Sequence, residues 1–286
     1  MDQTVRSVSQ APGFYRYRLG DMQAIALNDG YVVRDRPGNF IRNADDAAVG
    51  AAFAEAGMPA DKLMLTFNPL ALETADGVVL IDTGFGESGP PTAGRLAANL
   101  EAAGITPADI STVIISHFHG DKDGSPTYPK AKLMVPQGEC DYWLDDASMN
   151  AAPEAARANF ESARRILDGF ELQRFAWGDE ILPGFTSVQA NGHTPGMSAI
   201  EVTSGGDKLL YVADITNNPL LFVRHPDWQA MFDVDPEQTI KTRRRLLDRA
   251  AAEQLRLHFF HAPFPASGYV AKNGSAYEYL PALWTA

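Results

Sequence analysis

Two histidines one residue apart follow directly on a β-branched run, Val113-Ile114-Ile115, in the stretch Ser116-His117-Phe118-His119-Gly120-Asp121-Lys122-Asp123-Gly124. The run has the length and composition of a buried strand. The histidines therefore sit on a loop at a strand's C-terminal end. On extended backbone, side chains repeat every second residue, which sends the His117 and His119 imidazoles to the same side. Two nitrogen donors aimed at one point, with the carboxylate of Asp121 two residues on, form a zinc-type constellation. A polar turn whose histidines cap the strand fits the same stretch about as well. Residues elsewhere in the chain separate the two readings.

Each further candidate ligand also closes a strand pattern. Gln189-Ala190-Asn191-Gly192-His193-Thr194-Pro195-Gly196 puts His193 in a Gly/Pro loop after a strand. Leu210-Tyr211-Val212-Ala213-Asp214 ends a strand on a carboxylate. Arg256-Leu257-His258-Phe259-Phe260-His261-Ala262-Pro263 ends another on a histidine. Scattered over the chain, these residues can converge at one edge of a layered fold.

The periodicities predict a hairpin over 16–27 turning at Gly20-Asp21, and helices over 44–56, 96–103, 138–145, 154–167 and 236–253. Strands are predicted over 67–73, 77–81, 133–135, 171–175, 186–190, 198–202, 208–212 and 255–260. Strands and helices fall into two comparable halves. Two sheets packed face to face with helices outside would bury both. The expected fold class is α/β, a four-layer αββα sandwich. It forms one domain over 1–286, with residues 1–35 as an N-terminal extension and hairpin packed on it.

A hydrophobic content of 45% against 21% charged residues provides a sizeable core over 286 residues. The net charge of −12 argues against nucleic acid, whose binding is carried by Lys and Arg. It also disfavours anionic membrane surfaces, and no apolar run is long enough to span a bilayer. Cys140 is the one cysteine, so neither an intrachain disulfide nor a thiolate-rich metal site can form. A cytoplasmic setting fits best, with a mature secreted form left open. The expected partner is a small-molecule substrate, and a homodimer stays open.

Taken in order, the ligand-type residues resemble the metallo-β-lactamase superfamily. Its motif is His-x-His-x-Asp-His, then a Gly-His loop, an Asp and a late His. Here these are His117, His119, Asp121, His193, Asp214 and His261, and Asp82-Thr83-Gly84 matches an upstream Asp-Thr-Gly element. The resemblance covers roughly residues 68–265. Gly13-Phe14-Tyr15-Arg16, the hairpin ending Leu27-Asn28-Asp29-Gly30, the His225-Pro226-Asp227-Trp228 loop and Pro263-Phe264-Pro265 resemble the methyl parathion hydrolase branch, which includes organophosphate hydrolases and lactonase-like enzymes.

The resemblance implies that His117, His119 and His193 bind a first metal, zinc by preference with iron or manganese as alternatives. Asp121 and His261 would bind a second, bridged by Asp214. The family's third histidine of the motif is Lys122 here, which thins the second site. Deprotonated, Lys122 could ligate, but a reference pKa of about 10.4 sets a proton against the metal. Protonated, it could substitute for the second cation between Asp121 and Asp214. Turned aside to Asp123, it would leave a solvent-filled second site.

The implied chemistry is metal-assisted hydrolysis of a neutral ester, either a lactone, an aryl ester or a phosphotriester. Zinc lowers the pKa of its water to near 7. Asp121 would hold that nucleophile, and Lys122 would steady the developing oxyanion. Phe118, Phe222, Trp228 and Phe264, with Met231 and Phe232, are candidates for an apolar substrate wall, and 217–232 for a lid. Asp82 reads either as orienting the ligand loop or as a turn cap. His258 reads as structural, His225 as a surface histidine, Cys140 as a packed residue, and Arg243-Arg244-Arg245 as a solvated helix face. The alternatives are a non-catalytic metal- or ligand-binding descendant of the fold and, among enzymes, a thioesterase.

Overall fold

The hairpin expected from 16 to 27 forms as β1 (Phe14–Leu19) and β2 (Met22–Leu27), joined at Gly20-Asp21. Gly20 has φ +56°, and a Cβ there would collide with the Ser204 carbonyl, so the turn requires glycine. The structure is a computed structural model that describes residues 11–86, 89–119, 128–168 and 170–284. The chain continues through β3 (Gly30–Asp35), α1 (Asp46–Glu55), β4 (Lys62–Phe67), β5 (Leu70–Thr74), β6 (Gly77–Ile81), α2 (Leu96–Ala102), β7 (Ile110–Ile114) and β8 (Lys132–Pro136). Then come α3 (Gln137–Trp143), α4 (Asp146–Ala151), α5 (Glu154–Asp168) and β9 (Leu172–Phe175). The second half holds β10 (Glu180–Leu182), β11 (Phe185–Gln189), β12 (Ser198–Ser204), β13 (Asp207–Tyr211), α6 (Pro219–Phe222), α7 (Pro236–Glu253), β14 (Arg256–His258), β15 (Ser267–Asn273) and β16 (Ala276–Pro281).

The strands assemble into two seven-stranded sheets. The first runs β1-β2-β5-β6-β7-β8-β9 and the second β10-β11-β12-β13-β14-β15-β16. Pairing is antiparallel up to β6, then parallel through β7, β8 and β9. In the second sheet β13 and β14 pair in parallel, with α6 and α7 in the crossover between them. Parallel neighbours need such crossovers, and the helices they carry make the outer layers.

Alternation sorts each strand between two cores. Ala24 and Ala26 of β2 face the inter-sheet core with Leu72, Ile81, Ile200 and Leu257, whereas Ile25 and Leu27 face an outer core with Leu96, Leu100, Phe160 and Ala163. On the other side α7 packs along β15 and buries Leu246, Leu247 and Ala250. Asp235 caps α7 by accepting from the Gln238 N–H at 3.0 Å, and Pro236 opens its first turn. The result is the expected four-layer αββα sandwich. β1 and β2 are strands of the first sheet itself, β2 pairing with β5.

Several elements went unread in the sequence. β3 and β4 form a separate antiparallel ribbon, with α1 in the excursion between them. Phe40, Ile41, Phe53 and Leu63 of this region pack on Leu221, Phe222 and Ala230 in a third cluster. α4, β10 and the β15–β16 hairpin are further additions. No helix among the described residues is long and apolar enough to cross a membrane.

Candidate metal centre

β6 and β7 run in parallel, so the residues just past their ends lie side by side. Asp82 follows β6 in the left-handed conformation, φ 57°. Its Oδ1 accepts from the Ser116 N–H at 2.8 Å, and its Oδ2 from the Ser116 hydroxyl and the Tyr211 hydroxyl, both at 2.7 Å. The Ser116 hydroxyl in turn lies 3.0 Å from His117 Nδ1. Asp82 thus caps the turn and, through Ser116, orients the first histidine.

β13 and β14 are also parallel neighbours, which places Asp214 and His261 together past their ends. His193 follows β11 in the loop foreseen for it. The donor atoms of His117, His119 and His193 all lie within 4.8 Å of one another. His119 Nδ1 and His193 Nε2 are 2.9 Å apart. Asp214 Oδ2 lies 3.0 Å from His261 Nε2, 3.4 Å from His193 Nε2 and 3.7 Å from His117 Nε2. The structure therefore brings together His117, His119, His193, Asp214 and His261. Asp121 and Lys122 lie outside the described residues.

The hydrogen bonds behind the rings fix which nitrogen faces inward. His261 Nδ1 donates to the Thr66 carbonyl at 2.7 Å. A carbonyl only accepts, so Nδ1 carries the proton, and a neutral His261 turns the Nε2 lone pair toward an Asp214 oxygen. Two acceptors 3.0 Å apart require a proton or a cation between them. His193 Nδ1 lies 2.9 Å from Asp233 Oδ1, a carboxylate–histidine pair of the kind that supports metal ligands. Burial would depress the His193 imidazolium, but its hydrogen bonds to Asp214 and Asp233 outweigh that and raise the pKa to about 9. A fully buried histidine flanked by two carboxylates marks a centre that calls for positive charge. The donor set fits a divalent metal: neutral imidazoles oriented from behind and a carboxylate between them.

Glu139, which the sequence did not single out, lies behind this cluster and is fully buried. Its Oε2 accepts from the Phe118 N–H (3.0 Å) and the Trp143 indole N–H (2.7 Å). Its Oε1 accepts from the Thr194 hydroxyl (2.6 Å) and the Gly196 N–H (2.8 Å). Burial pushes its carboxyl above the usual range, and these four donors restrain that rise.

A cavity of about 940 Å³ opens over His119, His193, Asp214 and His261. Val32, Leu65 and Phe85 form one wall, Tyr142, Trp143 and Phe160 another, and Met231, Phe232 and Val234 a third, with Arg34 and Arg42 also in its lining. Met231 and Phe232 were foreseen as wall residues. Phe118, Phe222, Trp228 and Phe264 are not among the described lining residues. Phe118 alternates with the two histidines and so points into the outer core. Phe222 packs edge-on to Phe40 at 6.2 Å. Trp228 stacks on the half-buried His225 at 4.0 Å, and Phe264 packs on the inter-sheet core. The 217–232 segment is pinned rather than loose. Ile41 bridges Ala230, and Arg243 donates to the Ile215, Pro226 and Trp228 carbonyls at 2.6–2.8 Å.

The solvated-face reading of the arginine cluster is corrected at Arg243. It is fully buried, 4.8 Å over the Phe222 ring and 3.9 Å from Asp233. Arg244 forks onto Asp227 (2.6 and 2.5 Å), and Arg245 donates to the Gln189 carbonyl. His258 is buried and structural, and Cys140 is buried and packed.

A family model described as the metallo-beta-lactamase superfamily matches residues 68–261. A probable metallo-hydrolase of Mycobacterium tuberculosis is 27% identical over 182 residues, 55% of this chain and 59% of that protein. An N-acyl homoserine lactonase of a Bacillus species is 26% identical over 164 residues, 49% of this chain and 60% of that protein. The chain spans about three fifths of the length of these relatives. Among solved structures, AidC, a dizinc quorum-quenching lactonase in complex with a product N-hexanoyl-L-homoserine, matches with a TM-score of 0.90 at 25% identity, covering 96% of this chain and 99% of that one. AbOPH, a hydrolase in the beta lactamase superfamily, matches with a TM-score of 0.88 at 23% identity over 97% of this chain and 100% of that one, a likeness of fold alone. From the family match and the fold, this chain belongs to the metallo-beta-lactamase superfamily.

Proposed function

We propose that the protein is a zinc-dependent hydrolase of neutral esters, with lactones as the leading substrate class. The observation that carries this reading is the convergence of His117, His119, His193, Asp214 and His261 at the base of a largely apolar cavity. The lactonase activity named for AidC and for the Bacillus relative supports the lactone choice. Aryl esters and phosphotriesters follow from the resemblance to the methyl parathion hydrolase branch.

Zinc held by His117, His119 and His193 would supply a water acidic near pH 7 and polarise the oxygen under attack. The chain's own residues do the rest. Asp233 and the Thr66 carbonyl hold His193 and His261 in the tautomers that face inward. Asp121 holds the attacking water and passes its proton to the leaving group, and Lys122 steadies the negative oxygen that develops. The walls around Phe85, Phe160 and Phe232 seat an acyl or aryl group and exclude bulk water. We further place the protein in the cytoplasm, acting on a small molecule, with a homodimer as its candidate assembly.

The test is turnover of a panel of lactones, p-nitrophenyl esters and phosphotriesters by protein of measured zinc content. Lactone hydrolysis that is lost with a chelator and restored by zinc supports the reading. Tight zinc binding with no turnover across the panel favours the non-catalytic descendant.

A further inference from the structure

Glu139 is not among the five converging residues, yet it touches every segment that carries the three histidines. We infer that Glu139 is the positioning residue that sets the spacing of His117, His119 and His193. This rests on the metal-site reading above.

Phe118, whose N–H it accepts, lies between His117 and His119. Thr194 and Gly196, on its other oxygen, follow His193. The Trp143 indole, also held by Glu139, stands edge-on to the His119 ring at 5.9 Å between centroids. One carboxylate therefore joins the two ligand loops and the aromatic side chain that abuts the His119 ring. Three of its four partners are N–H groups, which can only donate. The set suits an ionised carboxylate, each oxygen taking two donors.

Backbone packing supports the same joint. A Cβ on Gly196 would collide with the backbone of Gly138 and Glu139, and one on Gly138 would meet the Gly196 Cα at 3.1 Å. The two glycines let the His193 loop lie directly against the start of α3, which puts the Glu139 carboxylate within reach of both loops. Removing the carboxylate leaves four donors without their acceptor in a buried place, and nothing then fixes one loop relative to the other.

The experiment compares zinc affinity, by competition with a chromophoric chelator, across metal-free wild type, Glu139→Gln, Thr194→Val and Leu100→Ala. Circular dichroism and Tm of each metal-free protein check the fold. The Co²⁺-loaded proteins report ligand geometry through their visible absorption. Glu139→Gln keeps the shape but turns an amide N–H₂ toward two donors. Its zinc affinity should fall roughly 10–100-fold, the range for residues that orient metal ligands, and its Co²⁺ spectrum should change. Leu100→Ala, in the outer core, should lower Tm and leave zinc affinity unchanged. Thr194→Val removes one of the four contacts and should give a smaller loss of the same kind; it carries the test if Glu139→Gln does not fold. Wild-type affinity and spectrum in Glu139→Gln, or in Thr194→Val where only that variant folds, would overturn the inference. A wild-type protein that binds no zinc would instead overturn the metal-site reading, and this inference with it.

Discussion

His261 Nε2 lies 3.0 Å from Asp214 Oδ2 while its Nδ1 is committed to the Thr66 carbonyl. The arrangement holds only with a proton or a cation between the two acceptors, and the same oxygen is within 3.7 Å of His117 and His193. Asp214 is therefore the point at which the two halves of the fold meet electrostatically. β7 delivers two histidines from the first sheet, and β11, β13 and β14 deliver His193, Asp214 and His261 from the second.

Metal and fold should be linked. A ligand that binds only the native state at about 100 times its Kd adds about 2.7 kcal/mol of stability. Wild-type protein should gain Tm on zinc addition and lose it to a chelator. His117→Ala or His193→Ala should abolish both that gain and hydrolysis, measured by calorimetry and by turnover. Activity retained in either variant with metal content unchanged would show that the site is misassigned.

Asp233 should act on zinc through His193. Its Oδ1 faces His193 Nδ1, and its Oδ2 accepts from the Ala230 N–H at 3.2 Å with Arg243 3.9 Å away. Asp233→Asn keeps the shape and removes the charge. Zinc affinity should fall roughly 10–100-fold. An unchanged dissociation constant would reduce Asp233 to a loop brace.

What the sequence made legible and what it hid divide along a physical line. His117, His119, His193, Asp214 and His261 could be read because each directly follows a strand run, and parallel strands bring their C-terminal ends to one edge. Glu139, Asp233 and Arg243 could not. Their roles are defined by partners 15–57 residues away, and no local pattern encodes that. Asp233, two residues before the cap of α7, reads locally as capping chemistry. Two of the wall candidates, Phe222 and Trp228, lie outside the cavity lining for a different reason. Side-chain direction alternates reliably on a strand, but on the loop and short helix carrying Phe222 and Trp228 it follows tertiary packing. The β15–β16 hairpin was readable in principle, since Ser267–Asn273 and Ala276–Pro281 flank the two-residue turn Gly274-Ser275.

Substrate size should follow the cavity. Burying each CH₂ contributes about 0.8 kcal/mol, so kcat/KM should rise roughly fourfold per methylene across a short acyl series. Phe232→Ala should flatten that series. Trp228→Ala, which unstacks His225 outside the cavity lining, should leave it intact. Equal slopes in wild type and Phe232→Ala would place the acyl group elsewhere.

Lys122 should govern metal stoichiometry. An ammonium between Asp121 and Asp214 would repel a second divalent ion. Unit charges about 4 Å apart interact by about 4 kcal/mol at an effective dielectric near 20. Wild-type protein should carry fewer than two tightly bound metals per chain. Lys122→His should move the content towards two, and Lys122→Ala only partly, because it removes the charge without adding a ligand. Elemental analysis of the three proteins decides it, and two metals in the wild type would refute the charge-substitute role.

His258 should make the fold acid-sensitive independently of the metal. It is fully buried, its Nε2 donates to the Asn68 carbonyl at 2.9 Å, and its ring stacks on Tyr211 at 5.5 Å. Its Nδ1 is buried without a hydrogen-bond partner among the described residues, so a proton added there finds no acceptor. Burial, with the Arg256 charge on the same strand, lowers its pKa to about 4, and the Asn68 carbonyl offsets this only in part. The folded state therefore prefers the neutral ring, and its contribution is fully present above the unfolded value near 6.5. It is lost as pH falls from there through about 4. At 1.36 kcal/mol per pH unit, a fall from 6.5 to about 4 corresponds to roughly 3 kcal/mol. His258→Gln keeps a donor for Asn68 and cannot take up the proton. Urea unfolding of metal-free protein from pH 8 to pH 4 should therefore show a shallower loss of stability in His258→Gln than in wild type, with titrations at the metal centre cancelling in the difference. Parallel curves would mean that His258 is accommodated in its charged form.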